Sequence, residues 1–186
     1  MVEVEVKVVM GPLGPFVRRI EDLAGASEHP RCLEDNVLLD LMGGELTAKG
    51  AMLRVRTYGA TGTLTYKEPA QGPPGYKVRT ELETTLPDPG LCLRILESAG
   101  FRRIWRYVKY RAIYRIGELK VLVDETPIGG YAELEGPREA IDAFAKRIGK
   151  EPSDYIASSY RGLYEDWCRR RGVPFGDMVF APGTSP

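Results

Sequence analysis

The chain has 186 residues, with 26 Lys plus Arg against 26 Asp plus Glu, for a formal charge of zero. That length suits one domain burying roughly 70% of its unfolded surface. The balanced charge excludes a global field that would draw a nucleic acid polymer or an anionic membrane. With 28% charged and 43% hydrophobic residues, the composition is that of a folded chain and not a disordered one. Cys32, Cys92 and Cys168 form no CxxC pair, which excludes a zinc motif and an even-numbered disulfide framework and points to the cytoplasm. The charged N-terminus does not read as a signal peptide, and no apolar run approaches the roughly 20 residues of a membrane span. The single histidine, His29, sits in a polar stretch beside Pro30 and is a weak candidate for catalysis.

In chain order, residues 2–10 alternate strictly, with Val2, Val4, Val6 and Val8 opposite Glu3, Glu5 and Lys7, a strand with one charged face. Phe16, Val17, Ile20 and Leu23 then recur at helical spacing until Gly25. A weaker strand pattern covers 36–42. Alternation returns at 51–58, where Leu53 and Val55 oppose Arg54 and Arg56. A turn at 59–62 leads into Leu64 and Tyr66 opposite Thr65 and Lys67, so these two segments read as a hairpin. After a Pro/Gly-rich connection at 68–75, a strand places Lys77, Arg79, Glu81 and Glu83 on one parity. A helix over 88–99 has Asp at its start and Gly100 at its end. Strands follow near 106–116, 118–125 and 130–136, the first two joined by a tight turn at Gly117. A helix over 137–148 starts with Pro and ends at Gly149, and a last helix spans about 160–171. The pattern predicts a domain over residues 1–171 and a loose Gly/Pro-rich extension over 172–186.

The charged parity is the informative feature. One charged strand face is ordinary in an antiparallel sheet. Here Glu3, Glu5 and Lys7, then Arg54 and Arg56, Lys67, Arg79, Glu81 and Glu83, Lys109 and Arg111, Asp124, and Glu133 and Glu135 repeat it strand after strand. That repetition predicts an α+β fold in which a closed antiparallel barrel has a charged interior. Apolar positions such as Val2, Leu53, Val55, Leu64, Val121, Val123 and Leu134 would face helices outside. Buried charges of this number require pairing or a ligand. Acids suited to Mg²⁺ or Mn²⁺ combined with forked and compact cations suited to phosphate are the equipment of phosphoryl transfer. No glycine-rich phosphate loop of the GxxxxGK[ST] or GxGxxG type occurs.

Taken in order, Glu3-Val-Glu5-Val-Lys7, Leu53-Arg54-Val55-Arg56, Leu64-Thr65-Tyr66-Lys67, the strand ending Arg79-Thr-Glu81-Leu-Glu83, Lys109-Tyr-Arg111, Asp124 and Glu133-Leu-Glu135 resemble the CYTH family of triphosphate tunnel enzymes. Ser159-Tyr160 resembles the Ser-Tyr pair near that family's C-terminal helix. The resemblance covers about residues 1–165. It implies an eight-stranded antiparallel barrel forming a tunnel, with helices around it. The matched metal positions are Glu3, Glu5, Asp124, Glu133 and Glu135. The matched phosphate positions are Lys7, Arg54, Arg56, Lys67, Lys109 and Arg111, with Arg79, Glu81 and Glu83 beside them and Arg79 counted among the substrate contacts. Glu3, Glu5 and Lys67 are the implied catalytic set. The segment Glu34-Asp35-Asn36-Val37-Leu38-Leu39-Asp40 departs from the aromatic-rich pattern of many members.

The expected function is Mg²⁺- or Mn²⁺-dependent hydrolysis of a triphosphate by metal-activated water, the substrate being inorganic, nucleoside or thiamine triphosphate. The alternatives are an adenylyl cyclase that converts ATP to cyclic AMP and pyrophosphate, and a non-catalytic module that binds triphosphate or polyphosphate. The expected partner is a small triphosphate-containing molecule, bound by a monomer or homodimer.

Overall fold

The structure is a computed structural model that describes residues 2–24 and 26–183. The helix end expected at Gly25 and the last residues of the tail, 184–186, lie outside the described residues. The elements are β1 (Val2–Met10), α1 (Leu13–Ala24), β2 (His29–Leu41), α2 (Glu45–Ala48), β3 (Met52–Tyr58), β4 (Thr61–Lys67) and β5 (Lys77–Leu86). They continue with α3 (Pro89–Ser98), β6 (Phe101–Ile116), β7 (Leu119–Thr126), β8 (Gly129–Glu135), α4 (Arg138–Arg147) and α5 (Tyr160–Arg171). The strands close into a barrel in the order β1-β5-β4-β3-β2-β6-β7-β8. Every neighbouring pair is antiparallel, and β1 completes the cylinder by pairing with both β5 and β8. Among the described residues no helix is long and apolar enough to cross a membrane.

The alternation read from the sequence sorts the side chains as expected. Outward-facing Val6, Val8, Val121, Val123 and Leu134 join Phe16 and Ile20 of α1 and Ile141, Phe144 and Ala145 of α4 in the largest apolar cluster. On the other flank Leu53 and Val55 are covered by Leu93 and Leu96 of α3, with Leu64 packed alongside. Helix α3 starts where Asp88 accepts a hydrogen bond from the Leu91 amide at 2.8 Å, with Pro89 in its first turn, an N-cap of the usual kind. Val2 differs from the expectation. It sits at the free end of β1, outside these clusters, and is 66% exposed.

Four further differences have physical reasons. Strand β2 begins at His29, well before the expected residue 36. Its pairing with β6 carries register shifts between His29 and Cys32 and between Leu38 and Leu39, which break the period-two signal at both ends. Strand β6 begins at Phe101 and not near 106, because it must match the full length of β2. The short α2 was not expected. It is held by Asp40, whose carboxylate accepts from the Leu46 and Thr47 amides, each at 2.9 Å. The β3–β4 connection is also tighter than expected. Tyr58 pairs with Thr61 across Gly59 and Ala60, and Gly59 takes φ 58°, a value glycine adopts freely.

The tail expected to hang loose instead docks. Strand β6 pairs with β7 only from Tyr110 onward, so its first half has an uncovered edge. The tail satisfies that edge: the Val108 amide donates to Met178 O at 2.9 Å and the Met178 amide donates to Arg106 O at 3.0 Å. The Met178 side chain is fully buried, and Phe175 stacks on Trp105. An open edge and an aromatic surface together hold a segment whose Gly/Pro content alone suggested no structure.

Candidate active site

Inward-facing residues from all eight strands line one cavity of about 1380 Å³ within the barrel. Strand β6 supplies Trp105, Tyr107, Lys109, Arg111, Ile113 and Arg115 to its wall, nearly the full length of the strand. The lumen is thus a tunnel-shaped space whose chemistry changes around its circumference.

One wall is acidic. Glu3 and Glu5 lie two apart on β1, and the register puts Glu5 opposite Glu135 of β8. Carboxylate oxygens from Glu3, Glu5 and Glu135 lie within 4.8 Å of one another, the one such group of metal-capable side chains among the described residues. Burial raises the Glu135 carboxyl, and the neighbouring Glu3 charge raises it further, to about 7. Burial acts on Glu3 in the same direction, yet Lys67, which donates to it at 3.1 Å, brings that carboxyl below its ordinary value. Three converging carboxylates with one held part-neutral by its neighbours are a concentration of negative charge that a hard divalent cation would relieve. All-oxygen donors suit Mg²⁺ or Mn²⁺. The residues present fit the expected metal.

The facing wall is basic. Arg54 and Arg56 project from β3, Lys109 and Arg111 from β6, and Lys67 from β4, all into the cavity. Arg54 Nε and Arg79 Nε are buried with no hydrogen-bond partner among the described residues. Lys67 bridges the two walls, paired with both Glu3 and Glu81. Burial, with the Arg54 guanidinium beside it, pushes the Lys67 ammonium down to about 8. Lys7 pairs with Glu133 at 2.9 Å, and Lys77 pairs with Glu5 at 3.1 Å.

The structure separates the five expected metal positions into two groups. Glu3, Glu5 and Glu135 converge. Asp124 does not join them: it is fully buried and accepts from Lys109 at 2.9 Å, from Arg111 Nε at 2.6 Å and from the Tyr160 hydroxyl at 2.5 Å. Glu133 is likewise occupied by Lys7 and Arg111. Both acids act in this structure as counter-ions to bases. The reason is register, since Asp124 pairs with Tyr131 and Arg111, not with Glu135 or Glu3.

Sequence reasoning also left functional neighbours unassigned. Tyr160 begins α5, where Ser159 Oγ accepts from the Gly162 amide at 3.2 Å. Its ring lies beneath the Lys7 and Lys109 ammonium groups at 4.4 and 4.7 Å, within cation–π range. Glu34 and Asn36 of β2 stand behind the arginines. Asn36 donates to Glu34 Oε1 at 3.0 Å and accepts from Arg56 Nε at 3.0 Å. The i, i+2 spacing of Glu34 and Asn36 was the available signal, blurred by the irregular register of β2. His29 lies exposed at the start of β2, edge-on to Tyr58 and away from the cavity lining.

Fold and site together define an antiparallel barrel enzyme-like scaffold with an acidic wall facing a basic one across a shared lumen. The chain belongs to the CYTH domain family, whose model matches residues 1–160. Among curated proteins, none matches it significantly. Solved structures share the fold. An adenylate cyclase candidate from Vibrio parahaemolyticus has TM-score 0.80 at 20% identity, over 89% of this chain and 98% of that one. PH1012 from Pyrococcus horikoshii OT3 has TM-score 0.72 at 23% identity, over 85% and 96%. HpAC1 from Hippeastrum, an adenylyl cyclase candidate described as having a dominant triphosphatase activity, has TM-score 0.62 at 18% identity, over 94% and 97%.

Proposed function

We propose that the protein is a metal-dependent triphosphatase, reading the barrel lumen as its active site. The observation that carries this reading is the placement of the Glu3–Glu5–Glu135 group across one cavity from Arg54, Arg56, Lys109 and Arg111, with buried guanidinium nitrogens still lacking acceptors. A triphosphate carries several negative charges along a chain, and the basic wall offers forked donors spaced along two strands to receive them. Glu3, Glu5 and Glu135 would hold Mg²⁺ or Mn²⁺, which when bound polarises phosphoryl oxygens and activates water. The chain's own residues neutralise charge. Arg54 and Arg56 grip the phosphates from one side, Lys109 and Arg111 from another. Lys67, already between the acids and Arg54, sits where the two walls meet. Water adds at a terminal phosphorus and gives up a proton to solvent, the bond from that phosphorus to the bridging oxygen breaks to yield orthophosphate, and the bases balance the charge left on the departing diphosphate portion.

A cyclase uses the same acids and bases, with the ribose 3′-hydroxyl of ATP as the nucleophile, and the description of HpAC1 joins both activities in one fold relative. The purified chain should be incubated with inorganic triphosphate, ATP and thiamine triphosphate, each with Mg²⁺ or Mn²⁺, and products resolved by phosphorus NMR and chromatography. Orthophosphate without cyclic AMP is the expected result. Cyclic AMP with equimolar pyrophosphate would replace the triphosphatase reading by the cyclase one. Tight binding with no product would make the chain a binding module.

A further inference from the structure

The basic wall has a layer behind it. Arg54, Arg56, Lys109 and Arg111 line the cavity, whereas Glu34 and Asp124, both fully buried, do not. The two acids differ in how they meet the bases. Asp124 is tightly hydrogen-bonded, with donors at 2.6 to 2.9 Å from Arg111 and Lys109. Glu34 stands further off, 3.4 Å from Arg56, 3.4 Å from Lys109 and 3.7 Å from Arg111. Among the described residues its one side-chain hydrogen bond comes from the neutral Asn36, and its Oε2 has none. A carboxylate that orients guanidinium groups takes their N–H donors at hydrogen-bond distance. Glu34 takes none of those donors itself: Arg111 and Lys109 give theirs to Asp124, and Arg56 Nε gives its own to Asn36, so Glu34 acts on the three cations through charge.

Resting on the triphosphate reading of the lumen, we infer that Glu34 is an affinity-setting residue. It is a built-in counter-anion that competes with phosphoryl oxygens for Arg56, Lys109 and Arg111 and weakens the hold on triphosphate and on its phosphate products. Cations concentrated around one lumen would otherwise bind the product as firmly as the substrate and release it slowly. With Glu34 behind them, the field reaching the cavity is reduced without Glu34 itself occupying any of their donors. Asn36 is the positioning partner that holds the carboxylate at this remove.

The test compares the native chain with Glu34→Gln, which removes the charge at constant shape, and Glu34→Asp, which keeps it. Binding of inorganic triphosphate and of pyrophosphate is measured by calorimetry in EDTA and again with Mg²⁺. Glu34→Gln should tighten both ligands at least tenfold, and Glu34→Asp should stay within about threefold of the native chain. A residue of merely structural value would weaken binding when neutralised, so weaker or unchanged binding in Glu34→Gln would overturn the inference while leaving the triphosphate reading intact. No binding to the native chain in either buffer would overturn the triphosphate reading itself, and this inference with it. Circular dichroism melts with and without triphosphate cover the case of a folding defect. A Glu34→Gln chain that folds only with triphosphate present supports the inference, because phosphate then takes the place of the lost anion. One that stays unfolded in both conditions contradicts it.

Discussion

At the scale of single residues, the two walls of the lumen make separable predictions. Arg54 and Arg56 each present a guanidinium to the cavity, and a charged hydrogen bond is typically worth about 1.5–3 kcal/mol. Arg54→Ala and Arg56→Ala should therefore each weaken triphosphate binding by roughly 10- to 100-fold in a calorimetric titration, and unchanged affinity would remove them from the site. Glu135 acts on the other wall. Glu135→Gln removes one of three converging carboxylates, so it should raise the Mg²⁺ or Mn²⁺ concentration needed for half-maximal hydrolysis. An unaltered metal requirement would show that Glu135 is not a ligand. These residues were legible because each strand kept strict parity, so that one inward residue implied the next. Asp124, expected from the resemblance among the metal positions, stands apart from the Glu3–Glu5–Glu135 group and is paired with Lys109, Arg111 and Tyr160, a placement that parity does not report because it gives only the face a residue takes. Its contacts follow from the pairing of β7 with β6 and β8, which no local pattern encodes.

At the scale of elements, the tail is the part that sequence pattern read least well. Its twelve described residues beyond α5, 172–183, show no period, and what holds them is a surface made by distant residues. Those are the unpaired half of β6 and the rings of Trp105 and Tyr164. Met178 is the anchor, fully buried beside Trp105 and Tyr107. Met178→Ala should cost about 2–5 kcal/mol of unfolding free energy, the usual range for emptying such a site. Urea denaturation followed by tryptophan fluorescence measures it, and a change below about 0.5 kcal/mol would mean that the tail contributes little to the barrel. The strand pairs of the long meander from β6 to β8 were legible for the opposite reason. Their connections are tight, and Gly117, with φ 60°, marks the first of them.

For the whole molecule, the interior is a dense set of mutually paired charges, and its stability is tied to their ionisation. Burial would raise the Glu34 carboxyl, but Arg111, Arg56, Lys109 and Arg54 hold it well below the usual range. Glu133 is held down in the same way by Lys7, Lys109 and Arg111. A carboxyl depressed by folding contributes stability that is complete above its unfolded pKa of about 4.3 and is lost as pH falls toward the folded value. The native chain should thus lose unfolding free energy steeply between about pH 5 and pH 3, and Glu34→Gln should lose less over that interval. Urea midpoints across the range test this, and parallel slopes for the two chains would count against it.

Closure of the barrel has one more consequence, for how the protein is made. Glu3 and Glu5 leave the ribosome before the other seven strands of the barrel, whereas the strand carrying Glu135 emerges last of the eight. Strand β1 has no neighbour in sequence to pair with, since both of its partners, β5 and β8, come later. The acidic wall is therefore incomplete until β8 is made: a chain released before it carries the two leading carboxylates without the third, and with one edge of β1 open. The third carboxylate and the partner for the second edge of β1 arrive together, at the same step of translation, while the open half of β6 waits for the later tail.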